Sequence, residues 1–414
     1  MKVSRFLFAV LSANALLAGI AYATVVPETE RWVGAWVSAQ QLVEPHNLPP
    51  QPGLSGNTLR QIIRPSLGGD GIRVTFSNAY GEGPLTIAVA NVARSKGGSA
   101  VDSASICPLT FGGERAVTIQ PGASVISDPA QFKVQAFENL AVSTCCSSVP
   151  ANVTGHPGSR TTSFIQKGDA VSVAEFPETT PVDHWYLLAA IDVRTGRSAS
   201  AILVLGDSIT DGRGSTTNQN NRWPDNLARR LAPDPRTSGI AVLNQGIGGN
   251  RVLRNGLGPS ALQRFDRDVL APPGVRWLVI FEGINDIGTA KGARAKGEPA
   301  ASARDILLAY EQMIVRAHAH GLQVYGATIT AFEGFDIYYD EQSEADRQEI
   351  NRWIRTSGKF DGVIDFDEMT RDRPDPRRLS STVDGGDHLH PSADGYKAMA
   401  DGIDLGLFQE SGRR

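Results

Sequence analysis

Over 28–193, apolar residues recur at every second position in short runs: Ile72, Val74 and Phe76, then Leu85, Ile87 and Val89, then Val117 and Ile119, then Phe132 and Val134. A period of two marks strands with one buried face. Turn-forming clusters separate the runs, among them Gly68-Gly69-Asp70-Gly71, Gly81-Glu82-Gly83-Pro84, Gly112-Gly113 and Pro121-Gly122. Short strands punctuated in this way predict an antiparallel β-sandwich.

The pattern then changes. Runs 201–205, 241–243, 277–281, 324–327 and 363–364 are continuously apolar, and segments 303–319 and 343–356 between them carry helical periodicity. Buried strands alternating with helices predict a parallel sheet covered on both faces. The short polar stretch 194–199 is the expected join. The domain reading is a β-rich accessory domain over 28–193 followed by an α/β domain over 199–407.

Ahead of both, Lys2 and Arg5 precede a mostly apolar stretch over 6–20, and Ala21-Tyr22-Ala23 supplies small residues at cleavage positions. This predicts an export signal over 1–23 and a secreted or periplasmic protein. The apolar run is shorter than the roughly 20 residues of a bilayer span, so no stable membrane anchor is expected after cleavage. The 414 residues are ample for two cores, and 43 Gly and 24 Pro suit a turn-rich β portion. A net charge of −4 without a basic stripe argues against nucleic acid as a partner. Cys107, Cys145 and Cys146 allow one disulfide from Cys107 to either of the adjacent pair, or buried reduced thiols.

Four segments of the second half carry candidate chemistry. Gly206-Asp207-Ser208 follows the first apolar run directly, at the carboxyl end of a parallel strand, where ligands bind in such sheets. Ser208 is there either a nucleophile or a helix cap. Asn244-Gln245-Gly246-Ile247-Gly248-Gly249-Asn250 follows the second run. Its small residues let backbone N–H groups approach a ligand, although a tight turn would have the same composition. Gly283-Ile284-Asn285-Asp286 follows the third, and the Asn285 carboxamide can donate to an oxyanion or form an Asx-turn. Near the C-terminus stands Asp387-His388-Leu389-His390-Pro391. A serine needs a base, imidazole has a suitable pKa, and a carboxylate three residues upstream can orient it. His390 is the first choice of base and His388 the second.

Taken in order, these blocks resemble the SGNH or GDSL hydrolases, serine esterases and acylhydrolases. The resemblance covers about 199–407 and implies a three-layer α/β/α fold of flavodoxin-like type with no metal or organic cofactor. It assigns the catalytic triad to Ser208, Asp387 and His390, and the oxyanion hole to the Ser208 N–H, Gly249 and the Asn285 side chain. Ile209 stands where the family's motif has Leu, a change that leaves the chemistry alone. In so glycine-rich a block, Gly246 or Gly248 are alternative donors to Gly249.

The expected function is thus a secreted serine esterase acting on short acyl groups such as acetyl, with acetylated polysaccharide a candidate substrate. A lipase or lysophospholipase of the same family is the alternative. A metal-dependent phosphoesterase would want an Asp-x-His ligand pair ahead of Ser208, and there is none. A non-catalytic glycan binder would have no need of the four blocks. Trp32, Trp36 and Trp185 read as sheet packing before a sugar groove, and His318 and His320 as helix C-terminal residues before metal ligands. Asp207 and Asp211 read as turn and capping residues. Acyl length, alcohol partner and oligomeric state do not follow from these residues.

Overall fold

A computed structural model describes residues 30–409, and the export signal expected over 1–23 lies outside the described residues. Among these residues no helix is long and apolar enough to cross a membrane.

The first half is antiparallel. One sheet orders the strands Glu30–Val37, Leu188–Gly196, Gly71–Ser77 and Ser124–Ile126. The largest is built around Asn57–Ile63, Leu140–Ser148 and Leu85–Gly97, and a small third sheet joins Gln41–Leu42, Thr154–His156 and Trp185–Tyr186. Ile72, Val74 and Phe76 of the first sheet share a core with Leu85, Ile87, Leu140 and Val142 of the second. Val89 departs from its expected partners. Opposite Cys145 and Cys146 the strand Leu85–Gly97 carries one extra residue, because Cys145 pairs with Val89 but Cys146 with Ile87. Such a bulge flips every later side chain to the other face. Ala90 and Val92 therefore take over in the main core, and Val89 packs with Cys145 and Val171 instead. Phe132 and Val134 are buried as expected, yet only isolated bridges form there, not a strand.

The disulfide expectation is not met: all three cysteines are free. Adjacent residues on a strand face opposite sides, so Cys146 enters the main core and Cys145 the satellite cluster. Burial pushes the Cys146 thiol up to about 12. Trp36 and Trp185 are buried and meet edge to face at 4.9 Å, so these two pack as expected.

In the second half five parallel strands lie in the order Ile240–Gly246, Ser200–Gly206, Val275–Phe281, Gln323–Ala327, Gly362–Ile364. The second strand in sequence sits outside the first, as in flavodoxin-like sheets. The helices are α1 (Ser208–Asp211), α2 (Trp223–Leu231), α3 (Ala261–Phe265), α4 (Ile284–Ala295), α5 (Ala303–Ala319), α6 (Glu341–Thr356), α7 (Phe366–Thr370) and α8 (Ala393–Asp401). Ile202 and Val204 pack with Trp223 and Leu227 of α2 and with Tyr396 and Met399 of α8. Leu203 and Leu205 belong to the core that holds Tyr310 and Met313 of α5 and Ile350 of α6. Both faces of the sheet are covered.

The first half of the expected join at 194–199 is strand, since Leu188–Gly196 runs on past Arg194. The two halves also share one core, in which Val33 and Val193 lie with Leu203 and Leu243. The outer strand Ile240–Gly246 would expose unpaired backbone groups. Ser66 from the β-rich half meets them, its Oγ accepting from Val242 N at 2.9 Å and donating to Val242 O at 3.2 Å.

Candidate active site

The strand Ser200–Gly206 turns into α1 within one residue, and Gly206 makes that possible. A Cβ there would lie 2.1 Å from Thr210 Oγ1. Asp207 caps α1 by accepting the Ile209 N–H at 2.9 Å, as its capping role requires. Ser208 is thereby held at the first position of a one-turn helix beyond the carboxyl end of the strand.

Ser208 Oγ lies 2.8 Å from His390 Nε2, and His390 Nδ1 lies 2.7 Å from Asp387 Oδ2. The other oxygen of Asp387 accepts the backbone N–H groups of Leu389 at 3.0 Å and His390 at 2.8 Å. The carboxylate folds its own loop around itself and fixes the ring. Facing a carboxylate, Nδ1 carries the proton, which leaves Nε2 to accept from the serine hydroxyl. Of the two candidate histidines, His390 is the one within hydrogen-bonding distance of Ser208. His388 is exposed, and its Nδ1 pairs with Asp384 at 2.6 Å.

Burial is the largest influence on His390 and lowers its pKa below 6.5; Asp387 opposes this, while Arg213 and Arg160 add to it. Burial raises Asp387, but the His390 N–H, the imidazole ring and the Leu389 N–H outweigh it and hold the carboxyl below its ordinary range. Near neutral pH the ring is an unprotonated base beside an ionised carboxylate. If His390 is the base, kcat/KM is expected to hold steady above pH 6.5 and to fall on an acid limb whose midpoint lies below that value. A pH profile with its midpoint above 6.5 would contradict this.

Across the site, Asn285 is buried near the start of α4 with its amide fixed at both ends. Oδ1 accepts from the Tyr338 hydroxyl at 2.8 Å, and Nδ2 donates to Asn250 O at 2.8 Å. The second Nδ2 hydrogen meets no acceptor among the described residues. Gly249, with φ +68°, adopts a backbone that other residues rarely hold. Gly248 and Gly249 both line the cleft with Ser208, Asn285 and His390. The N–H groups of Ser208, Gly248 and Gly249 meet no acceptor among the described residues. Gly246 is set apart, because its N–H donates to Asn244 Oδ1 at 2.9 Å.

Beneath this layer lies a charged floor. Arg264 is fully buried and donates to Gln245 O at 2.7 Å, Gly206 O at 3.1 Å and Asn250 Oδ1 at 2.8 Å, and it pairs with Asp268 and Glu282 at 3.2 and 3.4 Å. One guanidinium therefore ties together the ends of three strands and the loop whose carbonyl holds Asn285. Burial lifts Asp207 to about 7 and Asp286 to about 6, and raises Glu282 well above the carboxylate range.

The cleft, with an empty volume of about 1100 Å³, is walled on one side by the β-rich half: Gln41, Glu44, Asn47, Pro157, Arg160 and His184. None was legible as a site residue, because folding alone brings them beside Ser208. Asp211 is a correction of the same kind. It does not cap a turn; its Oδ1 lies 2.9 Å from Nε2 of His156, in the β-rich half, and both side chains are buried. His156 Nδ1 lies 2.9 Å from Ala39 O. Both ring nitrogens of His156 thus face oxygen atoms.

Residues 204–398 match the model of the GDSL-like Lipase/Acylhydrolase family. No curated protein matches the chain. Similar solved structures include a GDSL-like lipase from Bacteroides thetaiotaomicron VPI-5482, 21% identical over 50% of this chain and 88% of its own, with a TM-score of 0.36. They also include the acetyl xylan esterase AlAXEase, 21% identical over 49% and 96% with a TM-score of 0.37. A carbohydrate acetylesterase family member from Sinorhizobium meliloti is 16% identical over 50% and 97%, with a TM-score of 0.38.

Proposed function

With residues 204–398 a domain of the GDSL-like lipase/acylhydrolase family, we propose that the protein hydrolyses carboxylic esters through an acyl-enzyme formed on Ser208. The observation that carries this reading is the unbroken chain Ser208 Oγ, His390, Asp387, at 2.8 and 2.7 Å, opening on a cleft that also presents Gly249 and Asn285. Ser208 Oγ attacks the ester carbonyl while His390 Nε2 takes its proton. The carbonyl oxygen gains the negative charge and is stabilised by the N–H groups of Ser208 and Gly249 and the free Nδ2 hydrogen of Asn285. Collapse breaks the bond to the alcohol oxygen, which leaves with the proton from His390 as Asp387 steadies the imidazolium. Water, deprotonated by His390, then attacks the acyl carbonyl; collapse breaks the bond to Ser208 Oγ, which takes back the proton from His390 as the acid leaves.

Short acyl groups, acetyl foremost, suit the cleft best, with an acetylated carbohydrate as the preferred substrate. Its apolar borders are Pro157, Leu257, Phe335, Tyr338 and Leu389, and the rest is largely polar or glycine. A long chain gains about 0.8 kcal/mol per methylene only where each is buried, and an open cleft bordered by five apolar side chains can bury few of them. The test is a p-nitrophenyl ester series from acetate to palmitate, repeated after titration with a fluorophosphonate. Acetate is expected to be cleaved fastest, and one equivalent of reagent on Ser208, located by peptide mass, is expected to remove all activity. Preference for palmitate would favour a lipase, and labelling elsewhere would refute the nucleophile.

A further inference from the structure

Two carboxylates, Glu44 and Asp211, and two guanidinium groups, Arg160 and Arg213, line the cleft, and they differ in how they are partnered. Glu44 is held by Gln41 Nε2 at 2.7 Å and Asn47 Nδ2 at 3.0 Å, and Asp211 is held by His156. Arg160 and Arg213 line the same cleft, and neither has a carboxylate within ion-pair distance among the described residues. The Nε of Arg160 is buried without a hydrogen-bond partner, an arrangement that costs free energy unless an acceptor arrives.

Both arginines are held in place by their backbones. Arg160 sits at φ +50°, a region non-glycine residues rarely occupy. Its carbonyl is anchored by Asn218 N at 2.9 Å, and the preceding Ser159 carbonyl accepts from the Arg222 guanidinium. Arg213 donates its N–H to Ser208 O at 2.9 Å, and its own carbonyl accepts from the Tyr396 hydroxyl at 2.6 Å. Each guanidinium thus extends from a fixed backbone. Both act electrostatically on His390, the group that returns a proton to the departing alcohol. Both also line the cleft that holds His390.

We propose that Arg160 and Arg213 form a subsite for a carboxylate on the alcohol portion of the substrate, making the preferred ester an acylated sugar acid. The inference rests on the esterase reading above and deepens it. Guanidinium forks match carboxylates in a paired geometry. The neighbouring Gln41, Asn47 and His184 are polar groups suited to sugar hydroxyls.

The experiment compares acetylated methyl galacturonide with its neutral methyl ester, which differs in the carboxylate alone, and uses p-nitrophenyl acetate to establish hydrolysis. At low salt the acid form is expected to have a kcat/KM about tenfold higher, an advantage that shrinks as NaCl is added. In Arg160→Gln/Arg213→Gln the ratio of the two is expected to fall toward one. A wild-type ratio near one, or equal losses on both substrates in the double variant, would overturn the subsite while leaving the esterase reading in place. Faster cleavage of a lysophospholipid would overturn it in favour of a phosphate. Calorimetry on Ser208→Ala reads binding without turnover. Tighter binding of methyl galacturonide than of its methyl ester supports the subsite, and equal binding refutes it.

Discussion

Ser208→Ala is expected to lower kcat on p-nitrophenyl acetate by about 10⁴- to 10⁶-fold, the scale of loss when the nucleophile of such a triad is removed. The fold is expected to survive. The described hydrogen bond of the Ser208 hydroxyl is the one to His390, and the helix cap belongs to Asp207. His390 Nε2 borders an open cleft, so water can replace the lost partner. Stability should therefore change by no more than about 1 kcal/mol. Thermal denaturation and steady-state kinetics on the same preparation separate the two effects. Adding His390→Ala to Ser208→Ala should cost little more, because the two residues act as one unit. Persistence of most of the activity in the single variant would remove Ser208 from the mechanism.

The parts of this site that were legible in sequence are those whose geometry is local. Asp387 and His390 lie three residues apart, and their contact depends on one short loop. Helix α5 was legible over its full length, because Ser302 and Asp305 form a capping box and Ile306, Tyr310, Met313 and Ala317 keep one apolar face. Helix α4 was not, since its few apolar residues are interrupted by Gly288 and Gly292. The extra residue in Leu85–Gly97 also left no signal, since the strand stays apolar on both sides of the phase change. Contacts made across long stretches of chain were closed to sequence reading. His156 meets Asp211 across 55 residues, and Arg264 reaches Gly206 across 58.

Those distant contacts change the standing of the β-rich half. It supplies a wall of the cleft, covers an exposed sheet edge through Ser66, and reaches the nucleophile helix through His156. On the esterase reading proposed above, substrate choice would depend on both halves, whereas the bond-breaking groups would all come from one. This division explains why the four blocks predict a reaction class but no alcohol partner.

The floor of the site yields the largest expected stability effect. Arg264→Met should destabilise the protein by about 3–5 kcal/mol, the usual cost of removing one partner from a buried ionic network. The substitution would leave Glu282, which is fully buried, without its cation and would remove the guanidinium donor from Asn250 Oδ1 and from the Gln245 and Gly206 carbonyls, of which Gly206 O keeps the Ile247 N–H at 3.0 Å. The deficit should depend on pH. Asp207, at about 7, and Asp286, at about 6, have folded-state values above the ordinary 3.8, and Glu282 is raised in the same direction. Groups shifted upward stabilise the fold when protonated, and that contribution is lost as pH rises through the folded-state value. Without Arg264, Asp207 and Glu282 should move higher still, because its charge acts against burial at both. At pH 5 the acids are then neutral and the loss is at its smallest; at pH 8 at least one must ionise unpaired or stay protonated at a cost. Urea unfolding of wild type and variant at both values measures this directly. Arg264→Lys, which keeps the charge but not the planar fork, should fall between them. A deficit below about 1 kcal/mol, or one equal at pH 5 and pH 8, would show that the strand ends are held without this guanidinium.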